Sequence, residues 1–467
     1  MVKPTPGLAS WAIVTDVNPL EAVHTRQQHS TSPKENRLSP VSSSVGFVVL
    51  LAAILSFMIG GEPGCGRNDD NEIVFWAFGA EGEHVEALIP EFERENPGVR
   101  VRLQTIPWTA AHEKVLTAYA GSSTPDVCQW GNTWIPELVL LKAVEPLDEW
   151  VKGSTSIRRD FYFPGIWETN RMDSVLYGIP WYVDTRVLFY RKDLMARAGY
   201  PKPPRTWDEW RRVSEAIVGE QRGGERYAML LPTSEWAPPV IMGLQTGASF
   251  LKARDTQGDF SNPAFSKAFG FYISFFRDGL APIGLTRVQN LYQSMAEGVF
   301  CMFITGPWNI GEFRRRMPDS LQDQWMTAPL PSPDSSFPGA SLAGGSSLVL
   351  FRNSAHKQEA WKLIEFLSRT RQQVAFYHET GDLPARMKAW QDSALAGNVY
   401  IEAFRMQLER VVPTPRIPEW EQIAMKVQDY AELAARGRLS VTEALTALDR
   451  DADNILEKRR WMVNNGR

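Results

Sequence analysis

Histidine and cysteine are scarce in this sequence, and the motifs that build metal or catalytic centres from them are missing. Six histidines and three cysteines occur among 467 residues. The histidines include no H-E-x-x-H pair or similarly spaced cluster that would hold zinc. Gly-x-Ser-x-Gly, the phosphate-binding loop and Gly-x-Gly-x-x-Gly are absent as well. The sequence therefore predicts no metal site, no cofactor and no enzyme of these classes.

The sequence also lacks a large excess of charge of either sign. There are 50 Lys and Arg residues against 54 Asp and Glu residues, which leaves a net charge of -4. A nucleic-acid-binding surface needs a basic patch with interleaved aromatic residues, and no such stripe is visible. The composition therefore predicts that nucleic acid is not a partner.

Long apolar runs are missing except for one near the N-terminus, at residues 45–59. Its length of about fifteen residues is short for a membrane span and typical of the apolar part of a secretion signal. Cys65 follows where a lipoprotein signal would be cut and its thiol acylated. Glu62 replaces the usual aliphatic residue of that motif, so conventional cleavage near Gly64 or an uncleaved N-terminal anchor are alternatives. We predict that residues 1–65 form a tail and a signal or lipoprotein segment that contacts the membrane.

Secretion has consequences for location and size. The polar stretch of residues 1–40 exceeds a normal signal n-region, and a start codon assigned too early would explain it. Export places the mature protein in the periplasm or on the outer face of the cytoplasmic membrane. A mature part of about 400 residues is too large for one core and should divide into two lobes. Cys128 and Cys301 lie in apolar, strand-like segments and are predicted to be buried free thiols.

Tryptophan, by contrast, is abundant, with 17 in the chain. Aromatic faces stack on the C–H-rich faces of pyranose rings, while neighbouring polar side chains bind the hydroxyl rim. For any single tryptophan a place in the core is the alternative, but the set favours a sugar ligand. The tryptophans that lie at predicted strand ends or in loops are Trp76, Trp108, Trp130, Trp134, Trp181, Trp236 and Trp308.

The order of predicted elements indicates an α/β protein. Residues 73–78 and 99–106 have the pattern of strands, and residues 83–95 between them have that of a helix with one apolar face. A third strand is expected after Pro125, which makes a second crossover that should be right-handed. A further helix should begin after Asn262, which is a good N-cap residue.

One stretch, residues 177–194, resembles the segment where solute-binding proteins of bacterial carbohydrate ABC importers pass from the first lobe to the second. The family segment is usually Y-G-x-P, then L-x-Y-N-K-D-L, then A-G and P-P-x-T-W-D-E. Only the Asn departs, replaced by Arg191. Thr206 and Glu209 have capping-box spacing, which predicts that a helix begins there. An ordinary strand, turn and helix is the alternative interpretation of these residues alone.

Further motifs similar to those of the same family follow in the same order, over residues 73–458. They include a G-x-x-A-M-x-x-x-G-x-W strand and loop with Cys301 in the Ala position, a return strand and its helix, a G-x-x-P-x-R turn, and two C-terminal segments. The matching ranges are 296–308, 344–350, 354–368, 381–386, 415–420 and 440–445.

The resemblance implies a two-lobed periplasmic-binding-protein fold, with each lobe a mostly parallel sheet flanked by helices and the lobes joined by hinge strands. It implies a first lobe at 72–184 plus 348–400 and a second lobe at 185–347 plus 401–460. Ligand would bind in the cleft, and hinge closure would bury it. The implied function is that of a monomeric carbohydrate-binding component, not an enzyme, which delivers its sugar to the permease subunits of an ABC importer.

The same resemblance brings certain loops to the cleft. Asp184 and Arg186 either contact ligand or pair with each other as a structural bridge. Gly344 and Gly345 either let the backbone approach ligand closely or form a plain turn or bulge. Arg386 either binds a hydroxyl or carboxylate, or forms a surface or interlobe salt bridge. The candidate ligand-binding residues are Trp76, Glu81, Gln129, Trp130, Asn132, Trp181, Asp184, Arg186, Trp236, Trp308, Gly344, Gly345 and Arg386.

Two other functions stay open at this point. A glycoside hydrolase also has a tryptophan-lined cleft, but it needs two carboxylates held across the scissile bond. A solute-binding protein for a polyamine, iron or a peptide would share the fold. A polyamine favours carboxylates around an aromatic box, and ferric iron favours Tyr and His ligands. The sequence favours carbohydrate without indicating which sugar.

Overall fold

The computed structural model describes residues 71–220, 226–283 and 290–465. The predicted signal and lipoprotein segment, including Cys65, lies outside the described residues. Within those ranges no helix combines the length and the apolar character that crossing a membrane requires.

The strands form two larger sheets and several two-stranded pairs. In chain order they are β1 Glu72–Phe78, β2 Arg100–Ile106, β3 Val127–Gly131, β4 Arg171–Met172, β5 Val175–Leu176, β6 Ile179–Asp184, β7 Val187–Arg191, β8 Tyr227–Leu230, β9 Leu251–Lys252, β10 Gln257–Gly258, β11 Phe300–Thr305, β12 Trp325–Ala328, β13 Ser341–Leu342, β14 Gly344–Leu350, β15 Leu383–Pro384 and β16 Val411–Val412.

Helices connect these strands and cover the sheets. The α-helices are Gly79–Val85, Ile89–Glu95, Trp108–Ala120, Ile135–Leu140, Asp148–Lys152, Pro164–Glu168, Lys192–Arg197, Trp207–Gly219, Ala237–Gln245, Pro263–Arg277, Leu291–Ala296, Trp308–Arg316, Lys357–Leu367, Thr370–Thr380, Ser393–Ala396, Glu402–Leu408, Trp420–Ala435, Val441–Ile455 and Glu457–Asn464. Short 3-10 turns lie at Glu86–Leu88, Asn132–Trp134, Arg159–Phe161, Asp319–Leu321 and Met387–Gln391.

The first crossover unit is the one that the sequence predicts. β1 and β2 run parallel and pair from Glu72 opposite Arg100 to Phe78 opposite Ile106. The predicted helix 83–95 begins earlier, at Gly79, and a 3-10 turn interrupts it before Ile89. Pro90 explains the interruption, because its nitrogen has no hydrogen to donate to the preceding turn.

The two larger sheets have the orders β15-β6-β14-β3-β1-β2 and β12-β7-β11-β8. Only Thr185 and Arg186 separate β6 of the six-stranded sheet from β7 of the four-stranded sheet. The chain leaves the first sheet at Asp184, the last residue of β6, and re-enters it at Gly344, the first residue of β14. These two residues pair with each other, so β14 runs antiparallel to β6 and also to β3. The six-stranded sheet is therefore mixed. The four-stranded sheet is mixed as well, because β7 runs antiparallel to β11 and β12 while β8 runs parallel to β11. Both sheets have more antiparallel pairs than the predicted mostly parallel arrangement. β14 spans residues 344–350, the range predicted for the return strand.

Helix ends follow the capping predictions. The Asn262 side chain accepts a hydrogen bond of 2.9 Å from the Phe265 N–H, at the start of Pro263–Arg277. Thr206 caps Trp207–Gly219 by accepting from the Glu209 N–H at 3.1 Å. The predicted second capping box, at Ser440, is complete.

The two cysteines in the described ranges confirm the prediction of free thiols. Cys128 and Cys301 are both buried and unpaired. Burial raises the pKa of the Cys301 thiol to about 12, so the thiolate form is suppressed.

Candidate functional site

Polar and aromatic side chains gather where the strands of both sheets end. Glu81 follows β1, Asp184 ends β6, and Asp382 directly precedes β15 of the six-stranded sheet. Strand ends of the four-stranded sheet are occupied in the same way, because Arg186 precedes β7, Glu235 follows β8 and Trp308 follows β11. In α/β proteins, ligands bind in the crevice outside the carboxyl ends of such strands. We call the following residues the cleft cluster: Glu81, Tyr182, Asp184, Arg186, Glu235, Trp308 and Asp382.

Glu81 is held in place by donors from several strands and helices. The Tyr182 hydroxyl donates to its Oε1 at 2.8 Å, and Trp108 Nε1 donates to its Oε2 at 3.1 Å. Gln129 Nε2 donates to the Tyr182 oxygen at 3.1 Å, and its Oε1 accepts from the Phe78 N–H at 2.7 Å. Burial raises the pKa of the Glu81 carboxyl, and the hydrogen bonds oppose that rise.

The hydroxyl of Tyr182 remains protonated for a related reason. Burial, together with the neighbouring Glu81 and Asp382 charges, raises the pKa of Tyr182 well above its usual 10.0. The hydroxyl is therefore a permanent donor to Glu81. Gln129, which was predicted to contact ligand, is fully buried beneath this pair and supports it.

Asp382 lies beside Asp184 on the neighbouring strand. Leu383 pairs with Val183 and Pro384 pairs with Tyr182 in antiparallel register, so the preceding residue falls next to Asp184. Burial raises the pKa of the Asp382 carboxyl well above 3.8, and the charges of Glu81 and Asp184 raise it further. Like charges opposite each other on adjacent strands destabilise a sheet, which makes this pair costly to the fold.

Arg186 balances part of that negative charge. Its Nη1 donates to Asp184 Oδ1 at 3.0 Å, so the structural bridge weighed in the sequence analysis is present. Its guanidinium carbon also lies 4.4 Å from the centre of the Trp308 ring. Glu235 is exposed to solvent. Desolvation of the Glu235 carboxyl by the protein around it raises its pKa, while the charge of Arg186 lowers that pKa.

Trp308 is the exposed aromatic residue of the cluster, with 52% of its surface accessible. It begins the helix Trp308–Arg316, and its ring lies against Gly306, where a Cβ would be only 2.0 Å from a ring atom. Glycine is therefore required at that position if the indole is to lie where it does.

The other predicted tryptophans lie mostly in the interior. Trp76 and Trp130 belong to one apolar cluster on the first sheet, with 7% and 0% of their surface exposed. Trp181 is 1% exposed and stacks on Phe376 with a centroid distance of 4.4 Å. Trp236 is half-buried with its edge toward Trp420. The core interpretation of an individual tryptophan fits Trp76, Trp130 and Trp181, because burial leaves no ring face open to a ligand.

Asn132 and the glycines of β14 pack within the six-stranded sheet. Asn132 Nδ2 donates to the Gly344 carbonyl at 3.1 Å, and its Oδ1 accepts from Ser347 at 2.9 Å. A Cβ on Gly344 would meet Asp184 Oδ1 at 2.2 Å. A Cβ on Gly345, whose φ is +116°, would meet the Tyr182 carbonyl oxygen at 2.3 Å. The close approach is therefore to β6, next to a register shift in β14, and the bulge alternative fits.

Arg386 lies away from the cleft cluster. Only 8% of its surface is exposed, and its Nη1 donates to the Ser368 carbonyl at 3.0 Å. The guanidinium carbon is 4.5 Å from the centre of the Phe161 ring. These contacts join three segments of the chain inside the fold, so the predicted hydroxyl contact has no support in this arrangement.

The sequence reasoning missed Tyr182, Glu235 and Asp382 as members of the cluster. Asp382 lies in the 381–386 turn that resembles the family motif, and Tyr182 lies two residues before Asp184. Residues of alternate position on one strand share a face, so Asp184 was a signal for Tyr182. Glu235, next to Trp236, carried no comparable signal.

The cleft cluster combines carboxylates, a guanidinium and one exposed aromatic face. Carboxylates accept from hydroxyl groups, a guanidinium donates to them, and an indole face stacks on a sugar ring. Within the described residues no group of His, Cys, Asp and Glu side chains has an arrangement that holds a metal ion.

Known proteins resemble this chain along most of its length. A family model described as bacterial extracellular solute-binding protein matches residues 79–374. The galactooligosaccharide-binding protein of Bacillus subtilis is 26% identical over 383 residues, which is 80% of this chain and 87% of that protein. The diacetylchitobiose-binding protein DasA of Streptomyces coelicolor is 25% identical over 346 residues, which is 72% of this chain and 77% of that protein.

A solved structure gives a closer match. The sugar-binding protein MalE from Xanthomonas citri is 44% identical and superposes with a TM-score of 0.82, covering 84% of this chain and 99% of that chain. These likenesses confirm the predicted two-lobed periplasmic-binding-protein fold. The family model alone spans more than half of the chain. The chain therefore belongs to the family of bacterial extracellular solute-binding proteins.

Proposed function

We propose that this protein is the substrate-binding component of a carbohydrate ABC importer. It binds a sugar or an oligosaccharide without covalent change in the cleft between the two sheets, and it delivers that sugar to the permease subunits in the membrane. The observation that carries the proposal is the cleft cluster, where the half-exposed Trp308 ring lies beside Arg186 and the Asp184 carboxylate.

Each part of the cluster has a role in binding. Trp308 stacks on the apolar face of a sugar ring, which contributes area at low entropic cost. Glu81 and Asp184 accept hydrogen bonds from hydroxyl groups, and Asp382 donates one when it holds its proton. The electrostatic and desolvation cost of the buried carboxyl groups is partly recovered when hydroxyl donors satisfy them.

Closure of the two lobes completes the site. The first lobe is formed by 72–184 with the chain from Gly344 to about residue 400, and the second lobe by 185–343 with 401–460. Bending falls on the connections between the sheets. Ser341 ties them together, since its Oγ donates to the Arg186 carbonyl at 2.9 Å and accepts from the Arg186 N–H at 3.3 Å. Hinge motion of a few residues is enough to close such a cleft.

Relatives support carbohydrate over the other ligands that this family fold accommodates. The relatives in Bacillus subtilis and Streptomyces coelicolor are binding proteins for galactooligosaccharide and for diacetylchitobiose. The structure from Xanthomonas citri is that of a sugar-binding protein. A polyamine is the main competitor, because the cleft cluster is rich in carboxylates.

A thermal-shift screen tests the proposal. Purified protein lacking residues 1–65 is incubated with a panel of mono- and oligosaccharides, with spermidine and putrescine, and with ferric citrate. Stabilisation by at least one carbohydrate, followed by recovery of that carbohydrate unchanged, is the expected result. Cleavage of any glycan would make the protein an enzyme. Stabilisation by polyamines or iron alone would replace carbohydrate as the ligand.

The protein acts outside the cytoplasmic membrane, tethered through a lipid on Cys65. One acyl chain anchors a protein only marginally, so stable retention needs the several chains of a bacterial lipoprotein. Labelled palmitate should enter the wild-type protein and not Cys65→Ser. Labelling that persists in the variant would show that the lipid is attached elsewhere, and no labelling of wild type would leave the signal segment as the anchor or cleavage site.

A further inference from the structure

Arg186 occupies a two-residue connection between the sheets and contacts both of them. Its guanidinium reaches back to Asp184 at the end of β6, with Nη1 3.0 Å from Oδ1. It also lies over the Trp308 ring, at 4.4 Å from the ring centre, beside the end of β11. The side chain is only 20% exposed although it is charged. Its position is therefore defined by these partners, and the main-chain bonds to Ser341 hold its backbone as well.

Trp308 depends on few neighbours for its orientation. More than half of its surface is exposed, and among the described residues no aromatic ring packs against it. Gly306 lies against the ring, where a Cβ would be only 2.0 Å from a ring atom. The Arg186 guanidinium covers one face of the indole, and 52% of the Trp308 surface stays accessible. An exposed indole without such a partner samples several rotamers, and ordering them on binding costs affinity.

We propose that Arg186 is a positioning residue for the ligand, acting through Trp308. Held by Asp184, the guanidinium covers one face of the indole and presents the opposite face for stacking on a sugar ring. This inference rests on the proposed carbohydrate function. It also links the hinge to the site, because bending at Thr185 moves the Asp184 carboxylate relative to Trp308 and so changes how firmly the guanidinium is held.

The competing role for Arg186 is direct hydrogen bonding to the sugar. The two roles differ in the protein without ligand. A positioning residue alters the environment of Trp308 before any sugar is present, whereas a residue that only contacts the sugar alters the affinity and leaves the free indole unchanged.

The test uses variants with a matched control. Arg186→Met keeps a long apolar side chain but loses the cation, while Arg186→Lys keeps the charge and loses the planar stack. Arg205→Met is the control, because the Arg205 guanidinium lies over the Phe337 ring at a similar distance of 4.5 Å outside the cleft cluster. Each protein is produced with 5-fluorotryptophan in place of tryptophan and then purified. The Trp308 resonance is the one that is absent from Trp308→Phe.

Fluorine NMR without ligand gives the first measurement. In Arg186→Met the Trp308 resonance should move toward the value of solvent-exposed 5-fluorotryptophan, and in Arg186→Lys it should move less. Arg205→Met should leave it in place. Titration with maltose, and with the panel carbohydrate that stabilises wild type most, gives the second measurement. Arg186→Met should weaken binding roughly three- to tenfold, with Arg186→Lys between it and wild type.

Two results would overturn the inference. The first is a Trp308 resonance that is unchanged in Arg186→Met, which would leave direct contact as the role if affinity still falls. The second is a moved resonance with unchanged affinity, which would make the contact irrelevant to binding. Failure of every carbohydrate to bind wild type would instead refute the proposed function, and the measurement without ligand would still decide whether Arg186 orients the indole.

Discussion

The Tyr182 hydroxyl donates a hydrogen bond of 2.8 Å to Oε1 of Glu81, a residue 101 positions earlier in the chain. Gln129 completes the arrangement by donating to the tyrosine oxygen at 3.1 Å. The three residues come from β6, the helix after β1, and β3, so the sheet and the first helix together hold the carboxylate in place. Such preorganisation lowers the free energy that binding spends on ordering side chains.

Removal of this hydroxyl tests that relationship. Tyr182→Phe should lower the free energy of unfolding by about 1–3 kcal/mol, because it removes the hydrogen bond to the charged Glu81 and the one from the buried Gln129 amide. Urea unfolding measures the loss, and carbohydrate titration should show weaker binding. Tyr119→Phe is the control, since its hydroxyl bonds the exposed Leu141 carbonyl at 2.5 Å and its loss should be nearly neutral. Equal effects of the two changes would argue against the preorganised carboxylate.

Asp382→Asn should stabilise the protein without ligand at neutral pH. Burial, and then the Glu81 and Asp184 charges, raise the pKa of Asp382 in the folded state well above its unfolded value. Because this pKa is raised, the folded state loses stability as the pH rises through the folded-state pKa of Asp382. The neutral amide of Asn removes the cost of holding an ionised carboxylate there at pH 7. The gain in Tm should vanish as the pH falls below about 3, where the unfolded as well as the folded state holds the proton.

The control for this prediction is Asp323→Asn, a change at an exposed aspartate. It should alter the Tm little across the same pH range. Carbohydrate affinity should fall in Asp382→Asn only. A lower Tm for Asp382→Asn at pH 7 would show that the ionised carboxylate has partners that compensate its burial.

His112 should make the free energy of unfolding fall as the pH rises through the neutral range. Its Nε2 lies 2.6 Å from Glu137 Oε2, and this hydrogen bond raises the pKa of His112 above 6.5, with added effect from the Glu137 and Glu421 charges. The stabilisation is complete at a pH below the pKa of His112 in the unfolded state, and it is lost as the pH rises through the pKa of His112 in the folded state. Both side chains are about a third exposed, so the effect should not exceed about 1 kcal/mol.

The measurement is the free energy of unfolding in urea at pH 6 and at pH 8.5. His112→Gln and Glu137→Gln should each reduce the difference between the two values, and the double variant should reduce it no further. A difference that survives in both single variants would assign the pH dependence to other groups.

Trp130 and Trp308 should respond differently to truncation. Trp130 is fully buried, so Trp130→Ala should cost about 3–5 kcal/mol of folding stability. Trp308 is half-exposed, so Trp308→Ala should change stability by about 0.5 kcal/mol or less while costing about 2 kcal/mol or more of carbohydrate affinity. Thermal melts and titrations of both variants decide the matter. Normal binding by Trp308→Ala would remove it from the site.

Local signals were strong enough to predict most elements of the fold. Alternating and helical patterns predicted β1, β2 and the capped helices after Thr206, Asn262 and Ser440, because capping and burial leave short-range patterns. The split of the first helix at Pro90 and the antiparallel course of β14 were not predicted. The split of the helix depends on the one N–H that Pro90 lacks. The direction of β14 depends on which end of the neighbouring strands the returning chain reaches first.

The candidate site was predicted less completely. Asp184, Arg186 and Trp308 come together in the structure, while Trp130 and Arg386 lie elsewhere. Tryptophan and arginine serve in cores as well as in clefts, so their residue types do not separate the two locations. Asp382 became visible as a site residue only through the pairing of β6 with β15.

The sequence by itself determined the family, the α/β character and the elements that carry the site, because periodicity, caps and ordered motifs are properties of neighbouring residues. Tertiary structure alone decided which aromatic rings are buried, that Arg186 lies over Trp308, and that Asp382 stands beside Asp184. Those relationships join residues far apart in the chain. Sheet order, strand register and side-chain packing determine them, and none of these is encoded in the spacing of adjacent residues.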